Sequence, residues 1–85
     1  MYTSGIYSKT VAREGKIVAN LLNIRLQPTI KAGNLKSYPT LPYGTIVGIC
    51  METKDEDGDS WYYIKINGRK GEKYGFASAS FIEVI

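Results

Sequence analysis

Eighty-five residues suffice for one domain and are too few for two. A hydrophobic share of 44% and a net charge of +3 describe a globular chain, neither disordered nor polybasic. The chain has no histidine and a single cysteine, Cys50. That removes the commonest general base, any disulfide within the chain and any thiolate metal cluster, and it points away from an enzyme.

Residues 1–16 form a lead-in with little pattern, read as either a flexible segment or an added edge strand, and the domain proper spans 17–85. The first β-rich run, Lys16 to Leu26, alternates in its second half, with Leu22, Ile24 and Leu26 facing one way and Asn23 and Arg25 the other. Pro28 ends it, because proline cannot donate to a ladder. A long loop follows from Thr29 to Gly44, longer than most connections, and loops of that size tend to carry function. The second run, Thr45 to Glu52, sets Val47, Ile49 and Met51 inward. An acidic stretch with Asp57-Gly58 then signals a hairpin. In the third run, Trp61 to Asn67, the side chains of Tyr62, Ile64 and Ile66 share the core face, while Trp61, Tyr63 and Lys65 share the other. Asn67-Gly68 marks a second tight turn before the fourth run, Lys73 to Ala77. Residues 77–81 suit one 3₁₀ turn, and Ile82 to Ile85 closes the chain as a last strand. Five short strands so connected predict an all-β fold, a closed or partly open small barrel.

The ordered motifs Leu22-Asn23-Ile24-Arg25, Pro28, Gly44-Thr45, Trp61-Tyr62-Tyr63-Ile64, Gly75-Phe76 and Phe81-Ile82 resemble the bacterial SH3 (SH3b) family over residues 17–85. The resemblance implies a five-stranded SH3-like barrel with a 3₁₀ turn before the final strand. It further implies a non-catalytic module that tethers a cell-wall hydrolase, such as a phage lysin or autolysin, to peptidoglycan. The partner it implies is a stem or cross-bridge peptide, and the location is the extracellular cell wall, as part of a larger secreted or phage-encoded protein. The chain departs from eukaryotic SH3 domains where Ser78 and Phe81 take the positions of a groove proline and tyrosine, which argues against PxxP recognition.

Candidate binding residues follow from exposure and chemistry. Trp61 and Tyr63 offer a stacking surface with a polar handle, or else lie partly buried under the long loop. Tyr43 and Tyr38 either wall a groove against Trp61 or plug an open end of the barrel. Asn23 and Arg25 point away from the core, where Arg25 suits a peptide carboxylate or a local structural bond. Phe76 joins the aromatic patch. The acidic run Asp55 to Asp59 lacks the frame of a calcium loop and reads as a solvated hairpin tip, so neither a metal nor another cofactor is expected. Residues 1–50 carry six Lys/Arg against one acid, a mild bias that suits an anionic wall polymer but falls short of a nucleic-acid stripe. No apolar run is long enough to span a membrane. The competing reading is a protein-interaction domain that docks on a neighbouring catalytic domain and shapes its site.

Overall fold

Alternating β-branched and aromatic side chains fit the two faces of a pleated strand, and the computed structural model, which describes residues 7–69 and 71–85, is all-β with no α-helix among the described residues. In chain order it contains β1 (Arg13–Ile17), β2 (Leu21–Asn23), β3 (Thr40–Pro42), β4 (Ile46–Lys54), β5 (Ser60–Gly68) and β6 (Gly71–Ser78). A 3₁₀ turn over Ala79–Phe81 then leads into β7 (Ile82–Val84), as the small alternating residues there predict.

A closed five-stranded barrel does not form. Five strands make an open antiparallel sheet in the order β6-β5-β4-β1-β7, and β2 pairs with β3 in a separate ribbon. The reason lies in the long loop. It supplies its own strand, so the Leu21–Asn23 ladder is satisfied by Thr40–Pro42 and not by the main sheet. Arg25, just beyond β2, links to β6 by a reciprocal backbone bridge with Phe76 at 2.7 and 2.8 Å.

The run read as one strand over 16–26 is thus two, broken by a bend at Ala19 and Asn20. β1 begins at Arg13, inside the segment read as a lead-in, and lies between β4 and β7 as an inner strand. Residues 1–6 of that lead-in lie outside the described residues.

Ile17, Ile24, Val47, Ile49 and Ile64 are essentially sealed, and Leu22, Leu41, Tyr62, Ile66 and Ile82 complete the core around them. Each such side chain contributes about 1.5–3 kcal/mol through burial. The inward alternation of Tyr62, Ile64 and Ile66 is as expected. Met51 is not on that face. A register shift between Ile49 and Met51 pairs Met51 with Tyr63, because one extra residue in β4 inverts the alternation beyond it.

Gly75 in β6 packs directly against the core. A Cβ there would lie 2.7 Å from Ile24 Cγ2, 2.8 Å from Leu35 Cδ1 and 3.2 Å from the Arg25 carbonyl oxygen. Gly75→Ala is therefore expected to cost about 1–3 kcal/mol through overpacking. Urea denaturation checks this: the midpoint should fall with no change in slope.

Candidate functional site

A groove of about 370 Å³ opens beside the start of β5. Leu21, Asn23, Arg25 and Ile30 contribute to it from the first part of the chain, and Asp55 and Asp59 from the β4–β5 hairpin. Ser78, Ser80 and Phe81 complete it from the end of β6 and the 3₁₀ turn. Its volume falls in the range of small-molecule and peptide pockets.

Trp61 also lines the groove, but not as an exposed platform. Strand alternation does send its side chain to the face opposite Tyr62, yet the residue is only 3% exposed. The expectation of a free indole surface is corrected accordingly. The cause is the hairpin: the indole N–H donates to Asp55 Oδ2 at 2.9 Å, and the ring is drawn into the groove's base. Asp55 Oδ1 accepts the backbone N–H groups of Asp57 and Asp59, both at 2.9 Å. Gly58, at φ 83°, supplies the left-handed residue that the turn needs. The indole hydrogen bond, with those two backbone donors, holds the Asp55 carboxyl below the usual aspartate range. The carboxylates of Asp55, Asp57 and Asp59 lie within 4.8 Å of one another, but those of Asp55 are already engaged inside the hairpin. The Asp55 carboxylate is thus the scaffold of the turn.

Arg25 is half-buried and donates from Nη1 to the Ala32 carbonyl at 2.9 Å, so its structural role is real although it borders the groove. Asn23 Oδ1 accepts from Asn34 Nδ2 at 3.0 Å, and the same amide donates to the Pro39 carbonyl at 2.7 Å. These two bonds fix the near side of the groove onto the β2–β3 ribbon.

Trp61, Asn23 and Arg25 thus come together; the other candidates do not join them. Tyr63 and Phe76 form an aromatic cluster with Tyr7 and Tyr74 away from the groove lining. Burial there pushes the Tyr63 phenol up from its ordinary value. Tyr38 packs its ring against the core and over Gly68, outside the groove lining. Tyr43 is 58% exposed, outside the groove lining, with the Lys16 ammonium 5.3 Å from its ring centre.

Sequence reasoning passed over three apolar residues on the rim: Leu21, Ile30 and Phe81, which are 65%, 70% and 48% exposed. Ile30 carried a signal, as an isolated aliphatic side chain between Thr29 and Lys31 in a polar loop. Phe81 carried another, as an aromatic side chain following the small residues 77–80. In comparisons with known proteins, no family model, curated protein or solved structure matches this chain.

Proposed function

We propose that the domain is an SH3-like, non-catalytic binding module whose groove takes an extended peptide of the kind carried by bacterial peptidoglycan. In this reading it works at the cell wall as the targeting part of a larger secreted or phage-encoded hydrolase. The observation that carries the reading is the groove itself: a fixed indole base, an exposed apolar rim and a few polar groups at its edges. That combination suits a short peptide backbone with small side chains. The SH3-like assignment is supported by the long excursion between β1 and β4, the kink in β4 at the register shift and the 3₁₀ turn before β7. A weak contact is enough for tethering, because it raises the local concentration of an attached enzyme on its polymer.

Sedimentation with purified sacculi tests this. The domain is expected to pellet with the sacculi, and Phe81→Ala, which removes an exposed rim side chain, is expected to weaken retention about ten-fold, or about 1.4 kcal/mol. Complete recovery of the unmodified domain in the supernatant at low salt would overturn the proposal. The exposed apolar side chains of Leu21, Ile30 and Phe81 also favour a second reading, docking on a neighbouring catalytic domain. In that case Phe81→Ala would loosen the joined domains without changing wall retention.

A further inference from the structure

Outside the groove, the outer face of β4, β5 and β6 carries a second aromatic surface. Tyr63 pairs with Phe76 across β5 and β6, with ring centres 4.8 Å apart, and Tyr74 stacks on Tyr63 at 5.8 Å. Gly48, Lys65 and Tyr74 form the neighbouring cross-strand row. Residues 7–12 lie over this face. Tyr7 sits 5.3 Å from Tyr63 and meets Phe76 edge-on at 5.0 Å. The Lys9 ammonium lies 4.9 Å from the centre of the Tyr74 ring. Val11 occupies the dimple over Gly48, where a Cβ would come within 2.6 Å of its Cγ2. The Ala12 N–H donates to the Ile49 carbonyl at 2.9 Å and extends the β1–β4 ladder.

Three side chains two residues apart thus meet three distinct spots on the sheet. This is how an extended peptide is read: alternate side chains enter pockets, and the backbone adds hydrogen bonds. The match is also chemical. An aromatic residue meets aromatic rings, a cation meets the face of a tyrosine, and a β-branched residue meets a glycine. We propose that this face is a second peptide-recognition surface, kept filled by the chain's own residues 7–11. Its partner in trans is an extended peptide with aromatic, cationic and β-branched side chains at alternate positions. Lys9, Thr10 and Val11 remain exposed even when seated, the mark of an element that opens at low cost. The tether gives the resident segment a high local concentration, so an outside peptide competes well only when the segment's own contacts are weakened.

The test uses the full chain carrying Tyr7→Ala and Lys9→Glu together, titrated with a capped hexapeptide of the sequence Tyr-Ser-Lys-Thr-Val-Ala and followed by NMR. The peptide is expected to produce saturable shifts at Tyr63, Tyr74 and Phe76, with apparent affinity about ten-fold or more above that for the unmodified chain. A peptide with glutamate in place of lysine should lose the effect. Absence of saturable shifts in the folded variant, equal binding by both chains, or shifts confined to Trp61 and Phe81 in the groove would each overturn the proposal. Lys9→Glu alone, which changes an exposed side chain, gives a second reading should the double variant not fold. Faster hydrogen exchange at the Ala12 amide supports the proposal, and an unchanged rate counts against it.

Discussion

Trp61→Ala is expected to remove a large share of the fold's stability. The side chain is 3% exposed, and truncating a buried tryptophan costs about 3–5 kcal/mol through lost burial and the cavity left behind. Small domains hold only about 5–15 kcal/mol in total. The loss would also reach the groove, because the indole forms its base and its N–H anchors the β4–β5 hairpin through Asp55. Thermal unfolding followed by circular dichroism checks the expectation. A melting temperature within a few degrees of the unmodified protein would show that the ring is dispensable to the core. Trp61→Phe separates two roles: it restores most of the volume and removes only the donor. Retained stability with a loosened hairpin would assign the indole N–H chiefly to shaping the groove. Because Trp61 serves fold and site together, loss of ligand binding in Trp61→Ala says nothing about direct contact. Phe81→Ala, on the exposed rim, carries that question.

The sequence made the core strands legible where one face was buried and the other was not. Tyr62, Ile64 and Ile66 on β5 alternate without interruption, and they lie where period two puts them. Met51 was misplaced because a single extra residue in β4 inverts the faces beyond it, and no local residue type announces that insertion. The ribbon of β2 and β3 was hidden for a different reason. Its three-residue strands rest on the partner segment more than on their own pattern, and Pro42 weakens the strand signal of β3. For the site, period two gave the direction in which Trp61 points but not its burial. Burial depends on Asp55, six residues earlier, folding back to accept the indole proton. The other aromatic candidates scatter because register, and not residue type, places them: Tyr63 and Phe76 pair across β5 and β6, Tyr38 packs over Gly68, and Tyr43 stays exposed.

Asp55→Ala is expected to unfasten the hairpin and with it one side of the groove. Three donors lose their acceptor at once: the indole of Trp61 and the backbone N–H groups of Asp57 and Asp59. The indole lies in a buried position where water replaces that bond poorly, so the melting temperature should fall by at least about 4–8 °C. The same carboxyl gives the protein an acid limit. Its folded pKa lies below the ordinary aspartate value, first because of the indole hydrogen bond. The ionised form therefore favours the native hairpin. That contribution is fully present above about pH 3.9, the ordinary aspartate value, and is lost as the pH falls through the lower folded value. Trp61, the only tryptophan, reports the transition directly. Its fluorescence should stay constant on acidification down to about pH 3.9 and change below it as Asp55 takes up a proton. Asp55→Asn, which keeps an acceptor oxygen but cannot ionise, should remove that acid step while lowering stability at neutral pH. A fluorescence transition of unchanged midpoint in Asp55→Asn would assign the acid response to another group and detach the hairpin from the charge that is argued to hold it.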